Sequence, residues 1–276
     1  MAKKQSSSNR LPNAPLAEVV FELRWALQSD STTPLTLQND PGLIPLLDAF
    51  TKNAKKLGFA SSKQLVSPLQ TAPYGVVRRY YKDDSKPFPL LQIGPGIFAC
   101  NDASQYEWTS YKTLITKGLT SLFSSYPKLG FFPLAPIFLE LRYVDVFDRS
   151  LFGKAALFDF LQKGTSLKLD LPPMLSERST FGGDADGRLL FRRDLKGWKD
   201  TIFSFDIGSA TNNGNQEQIV RLETKVTTGQ SGILALKTPA PFIKNVEKWL
   251  DFAHGITSPF FKQLILPTTM AKFSVD

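Results

Sequence analysis

Cysteine and histidine are almost missing from this chain. Its 276 residues include one of each, Cys100 and His254. A single cysteine excludes an internal disulfide, and a single histidine excludes a histidine-rich metal centre. Cys100 stands in "GIFACND", at the end of an expected apolar strand, and reads as a quiet core thiol rather than a nucleophile. No spacing brings it to His254, so a Cys–His dyad is not expected. His254 sits between Ala253 and Ile256 in a helical pattern and reads as a packed or solvent-edge side chain. No run of about 18 apolar residues occurs, so no membrane-spanning helix is expected. The opening "MAKKQSSSNR" has two lysines with no apolar stretch after them, unlike a secretory leader. Residues 1–10 read as a disordered basic tail, and the expected location is the reducing cytoplasm.

Enzyme signatures are missing too. There is no Gly-x-x-x-x-Gly-Lys-[Ser/Thr] loop, and Gly94-Pro95-Gly96 is too short for a dinucleotide fingerprint and reads as a hairpin turn. Gly229-Gln230-Ser231-Gly232 is not a Gly-x-Ser-x-Gly elbow. Asp184-Ala185-Asp186-Gly187 resembles the start of a calcium loop but lacks the distal glutamate, so a tight hairpin is expected. Asp145 and Asp148 could share a cation, but two carboxylates at a strand end are expected to be solvated. The reading therefore contains no catalytic residue, no metal and no cofactor, and disfavours an enzyme.

What is abundant is positive charge and apolar bulk. Net charge is +8, hydrophobic residues make up 42%, and there are 22 phenylalanines. The chain can bury a large core, and its basic balance favours a polyanionic partner.

The phrase Phe21-Glu22-Leu23-Arg24-Trp25 returns 118 positions later as Leu139-Glu140-Leu141-Arg142-Tyr143. Period-2 alternation makes both half-buried strands. After the first, helical spacing predicts a helix from Pro41 to Leu57, closed by Gly58. Strands follow at about 63–70, 75–82, 88–94 and 96–101, then a helix of about 20 residues capped by Asp102 or Ser104. After the second come a helix near 151–161, strands at about 165–171, 175–182, 188–194, 200–208 and 217–227, and a long helix opened by Pro239 or Pro241. Arg78-Arg79 and Arg192-Arg193 take matching places, as do Trp108 and Trp249. The expected fold is α+β: two β-α-β4-α repeats forming one curved antiparallel sheet with helices on the convex face. The expected units are 11–130 and 131–267, with 268–276 as a C-terminal tail; whether the second half has four or five strands stays open.

Alternation also assigns the open face. It turns out Glu22, Arg24, Glu140 and Arg142 on the repeated strands. On the Arg-Arg strands the more polar register turns out Arg78, Tyr80, Lys82, Arg188 and Arg192. In "QIVRLETKVT" it turns out Ile219, Arg221, Glu223 and Lys225, and in "TIFSFDIG" Ser204 and Asp206. The acidic members are expected to pair across strands, Glu22 with Arg142 and Glu140 with Arg24, each exposed pair worth roughly 0–1 kcal/mol. The expected partner-binding set is Arg24, Arg78, Lys82, Arg142, Arg192, Arg221 and Lys225, with Tyr80 to stack on a base.

Two resemblances accompany this reading. Leu11-x-x-Ala14-Pro15-Leu16-x-Glu18-Val19-Val20-Phe21-Glu22-Leu23-Arg24 is similar to the start of a sporadically distributed prokaryotic family of unknown function. Leu141-Arg142-Tyr143 and the pair His254 and Phe260 match that family's middle and end; its frequent tryptophan in the tail is absent, with Phe273 there instead. This resemblance implies a cytoplasmic accessory protein of a bacterium or archaeon, of the kind found near defence or toxin–antitoxin genes, and carries over no functional residue. The element order resembles the TATA-binding-protein fold, without that family's DNA-wedging phenylalanine pairs at matched positions. The functional expectation is a non-enzymatic module that binds nucleic acid through its basic sheet. The alternatives are a protein-interaction subunit (adaptor, immunity protein or inhibitor) and a small-molecule binder with a cavity between sheet and long helix.

Overall fold

A computed structural model describes residues 14–30, 37–103, 106–130, 132–148, 151, 157–169, 187–212, 217–233 and 239–273. The alternation in the first strand is realised as expected. In β1 (Leu16–Trp25), Val19, Phe21, Leu23 and Trp25 are fully buried on one face. β1 pairs antiparallel with β7 (Ile97–Asp102) on one side and β8 (Pro136–Phe147) on the other.

Outward from β7 lie β6 (Lys86–Gly94), β5 (Arg78–Asp83) and β4 (Ser61–Gln64). Outward from β8 lie β11 (Gln218–Thr228), β10 (Thr201–Thr211) and β9 (Arg188–Asp194). The nine-stranded order is β4-β5-β6-β7-β1-β8-β11-β10-β9, and every neighbouring pair is antiparallel. Two short strands, β2 (Gln28–Asp30) and β3 (Leu37–Asn39), form a separate sheet that the sequence pattern does not signal. The fold is α+β with one large antiparallel sheet.

The helices with described bounds are α1 (Leu43–Lys56), α2 (Trp108–Ser125), α3 (Leu157–Gly164), α4 (Gln230–Ile233), α5 (Pro239–Leu264) and α6 (Pro267–Ala271). Ring contacts fix which side of the sheet they cover. Phe50 of α1 packs edge-on against Tyr80 and Phe98, Phe21 meets Trp249 of α5, and Phe203 and Phe205 meet Phe260. Phe147 lies against Phe160 of α3 and against Phe273. The strand residues in these contacts share one register face, so the helices pack on that side. Burying one such ring stabilises the fold by roughly 1.5–3 kcal/mol. Asp40 ties this layer together: it accepts hydrogen bonds from Trp25 Nε1 (3.0 Å), Tyr126 Oη (2.7 Å), Gly42 N (3.0 Å) and Gly96 N (3.1 Å). Gly96 has φ 72°, the left-handed conformation a tight β6–β7 turn requires and glycine adopts without strain.

Several boundaries differ from the sequence reading. The strand expected at 63–70 is β4 followed by a 3₁₀ turn at Pro68–Gln70, where proline ends strand pairing. The cap of α2 is neither Asp102 nor Ser104. Asp102 belongs to β7, and Glu107 accepts from Thr109 N (2.9 Å) and Ser110 N (2.8 Å). Within 165–169 a single bridge joins Thr165 to Ile265 in place of a strand. The strand expected at 175–182 lies outside the described residues, as do the tail at 1–10 and part of the helix expected at 151–161. The segment expected as a C-terminal tail carries α6 and sends Phe273 into the core, where it is fully buried.

Candidate functional site

Backbone register decides which side chains occupy the sheet face opposite the helices. Glu22 stands opposite Glu140, and Val20 opposite Arg142. Arg142 stands opposite Lys225, Lys225 opposite Ser204, and Ser204 opposite Arg192. One cross-strand row therefore carries Arg142, Lys225 and Arg192. The next carries Glu223 and Asp206, and the one after that Arg221 and Arg188. Neighbouring strands lie about 4.8 Å apart, so like charges within a row are close and destabilise one another. The interleaved carboxylates offset that repulsion.

The pairing is within strands more than between them. Arg24 donates to Glu22 two residues back, and Arg142 Nε lies 3.5 Å from Glu140 Oε1. Arg221 Nη2 donates to Glu223 Oε2 at 2.5 Å, and Lys225 Nζ lies 3.3 Å from Glu223 Oε1. Arg188 embraces Asp206 of the adjacent strand in a fork, with Nε at 2.7 and 2.9 Å from the two carboxylate oxygens. The cross-strand pairs expected between the two Glu-Leu-Arg phrases give way to these shorter reaches. Alternation puts residues i and i+2 on one face, whereas the β1–β8 register sets glutamate against glutamate.

The charges are layered. The side chains of Glu22, Glu140 and Glu223 are 11%, 10% and 10% exposed, whereas those of Arg24, Arg221 and Arg188 are 39%, 42% and 70% exposed. Carboxylates thus form a floor beneath a layer of cationic heads. Burial pushes the Glu140 carboxyl up, with Glu22 and Glu223 adding to the rise and Arg142 and Lys225 opposing it. Burial also acts to raise Glu223, but Arg142, Arg221 and Lys225 together outweigh it and hold that carboxyl below its ordinary value. The Arg188 hydrogen bonds hold Asp206 low. The buried Arg142 Nε has no hydrogen-bond partner, since its glutamate is too far for one.

Of the expected binding set, Arg24, Arg142, Arg192, Arg221 and Lys225 share this face. Arg78, Tyr80 and Lys82 do not, and this is a correction. Tyr80 is 1% exposed under α1, its hydroxyl 3.3 Å from Thr51 Oγ1, and Arg78 Nη1 donates to the same Thr51 oxygen at 3.1 Å. Lys82 Nζ lies 5.7 Å from the centre of the Phe59 ring. A tyrosine whose hydroxyl finds a buried partner behaves as core, and that sets the strand one residue out of the polar register. Arg79 takes the open face instead. Its Nε donates to Gln92 (2.9 Å), Gln92 to Asn101 (2.8 Å) and Asn101 to Glu18 (2.6 Å). In the sequence, only the alternative register of "RRYYK" points to this chain of hydrogen bonds.

A second polar cluster lies on the helix side. The hydroxyls of Tyr106 and Tyr143 are 2.9 Å apart, and that of Tyr143 is 2.9 Å from His254 Nδ1. Trp108 stacks on the imidazole, 4.1 Å between centroids. Burial depresses His254 to about 4, so it is a neutral packed group at pH 7. Asp145, expected at a solvated strand end, is 5% exposed on this same side, and burial alone raises its carboxyl to about 7. Cys100 is fully buried and its thiol is raised, first of all by desolvation. Among the described residues no three His, Cys, Asp or Glu side chains gather to hold a metal, and no helix is long and apolar enough to cross a membrane.

No family model matches the chain. No curated protein matches it. Among solved structures it is similar to one titled Methanococcus jannaschii TBP, with 16% identity over 86% of this chain and 95% of that one, at a TM-score of 0.27. A likeness at that score is too weak to bring that protein's fold or function to this chain.

Proposed function

We propose that this chain is a non-enzymatic nucleic-acid-binding protein that works through the sheet face opposite its helices. On this reading it is a duplicated sheet-and-helix unit. Its two first strands, β1 and β8, meet at the centre, and each is flanked by the last strand of its own half, β7 or β11. The joined sheet curves with the helices on its convex side and offers the concave side to an extended strand of phosphates. The observation that carries the proposal is the layering: the side chains of Arg24, Arg142, Arg221 and Lys225 are 31–42% exposed, while the carboxylates that position them are about nine-tenths buried. The cationic heads are held in place before binding, and they exchange condensed counterions for phosphate oxygens.

The test is fluorescence anisotropy with labelled single- and double-stranded DNA and RNA at low and physiological salt. Binding in the range of roughly 1–100 μM, weakening with salt, is expected. Lys225→Gln with Arg192→Gln should weaken it and reduce the logarithmic salt slope by about one for each phosphate left without its cation. Lys82→Gln, on the helix side, should leave binding unchanged. Absence of binding at low salt, or binding indifferent to salt, refutes the proposal.

A further inference from the structure

The two ends of the sheet are built differently. β4 is four residues of polar chain, the short edge by which proteins discourage unwanted pairing. β9 is seven residues long, contains no proline, and pairs with β10 through an unbroken register from Arg188↔Gly208 to Asp194↔Ile202. It is the terminal strand among the described residues, so one of its two edges bears backbone N–H and C=O groups that no described strand pairs. Every residue of it except Leu189 is exposed.

Its side chains are equally open. Leu190 is 55% and Phe191 44% exposed, among the few large apolar side chains that are, and as sequence neighbours in a strand they lie on opposite faces. Arg192 and Arg193 also lie on opposite faces. Arg188 is held by Asp206, but neither Arg192 nor Arg193 has an ion-pair partner among the described residues. The edge thus presents an apolar anchor and an unpaired cation on each face of the sheet.

We infer that β9 is a docking edge for an extended acidic segment of a protein partner, which joins the sheet as a further strand. Main-chain hydrogen bonds supply the attachment. Glutamates or aspartates opposite Arg192 and Arg193, and apolar side chains opposite Leu190 and Phe191, supply the selectivity. This surface shares Arg192 with the polyanion reading but differs in its recognition element, a backbone edge that no described strand pairs.

The experiment uses the full chain and a dye-labelled synthetic peptide that repeats Glu-Glu-Val-Val, so that acids face Arg192 and Arg193 while valines face Leu190 and Phe191, with two controls: the same peptide N-methylated at alternate backbone nitrogens, and its Lys-Lys-Val-Val counterpart. Polarisation should show the acidic peptide binding, the N-methylated one at least tenfold weaker, and the lysine one not at all. Arg192→Glu with Arg193→Glu should reverse the preference in favour of the lysine peptide, which also demonstrates that the variant is folded. Equal binding of the N-methylated peptide would reduce the association to surface charge and overturn the inference, as would no binding at low salt. The peptides carry no phosphate, so failure of nucleic acid to bind leaves this result independent.

Discussion

Replacing Asp145 by asparagine removes one titration from beneath the helices while keeping the shape of the side chain. Asp145 faces the helix side of β8, opposite Leu16 on one neighbouring strand and Leu222 on the other. Burial raises its carboxyl from 3.8 to about 7, and no cation or hydrogen-bond donor among the described residues offsets that. The folded state holds the proton more tightly than the unfolded chain does. Below about pH 4 both states are protonated and the aspartic acid costs nothing. As pH rises from 4 to 7 the unfolded chain releases a proton that the folded one keeps, so stability falls. Above 7 the folded state carries a buried carboxylate, and the full difference of about three pH units is reached. At 1.36 kcal/mol per unit that is about 4 kcal/mol, an upper figure because some water reaches the carboxylate once it ionises.

Urea unfolding of the native protein and of Asp145→Asn at pH 4, 6 and 8 measures this directly. At pH 4 the two should agree to within about 1 kcal/mol, or the variant should be slightly weaker for its buried amide. At pH 8 the variant should be more stable, by about 2–4 kcal/mol once relaxation is allowed for. His254 has the opposite sense: its depressed value gives stability that is present above pH 6.5 and lost as pH falls through about 4. It titrates in both proteins, so it cancels in the difference. A difference that does not change with pH would refute the placement of Asp145 as a buried acid without a counter-charge.

Gly118 of α2 should not tolerate alanine. Alanine gains about 1 kcal/mol of helix propensity, yet its Cβ would lie 2.7 Å from the ring of Phe98, itself packed against Phe50, so a net loss of about 1–2 kcal/mol is expected from the shift in urea midpoint. Cys100 should be inert to a thiol reagent in the folded protein at pH 8 and react with one equivalent in guanidinium, since burial both shields it and keeps it protonated; fast labelling of the native protein would contradict the burial. Tyr143→Phe removes the hydroxyl shared by Tyr106 and His254 and should cost about 1–3 kcal/mol by the same urea measurement.

The two central strands and the long helices are announced through spacing and form. Alternation in "VVFELRW" and "FLELRYV" places both central strands and names the residues of each face, because a strand buried on one side tolerates no slip of register. Apolar spacing finds α1 and α5 to within a few residues. The 3₁₀ turn after β4 and the pair β2–β3 leave no mark in the sequence pattern, because they rest on a few local hydrogen bonds and carry no periodicity. The cap of α2 comes later than the sequence suggests because Asp102 satisfies the rule for a capping residue, while β7 continues through it.

The displaced strand and the displaced ion pairs share one cause. Polarity suggests which way "RRYYKD" faces, but polarity counts whole residues and burial acts on atoms. Tyr80 keeps its ring in the core with its hydroxyl at Thr51, and the long stem of Arg78 reaches the same oxygen around the helix, so a strand polar on paper is apolar where it touches α1. On the opposite face the same flexibility lets arginines fold back onto glutamates of their own strand, which needs no partner strand and so survives a register that sets Glu22 against Glu140. Two buried glutamates face to face are tolerable only if cations lie over them. The arginines that make this face attractive to an anion are therefore also the ones that make its floor stable. A polyanion that drew them away would leave Glu22, Glu140 and Glu223 uncompensated, so binding must add to these pairs rather than replace them. That favours ligands met by the outward nitrogens of Arg24, Arg142 and Arg221, and it places the strongest loss of affinity at Arg192, which no carboxylate engages among the described residues and which, unlike Arg79 on Gln92, no amide holds either.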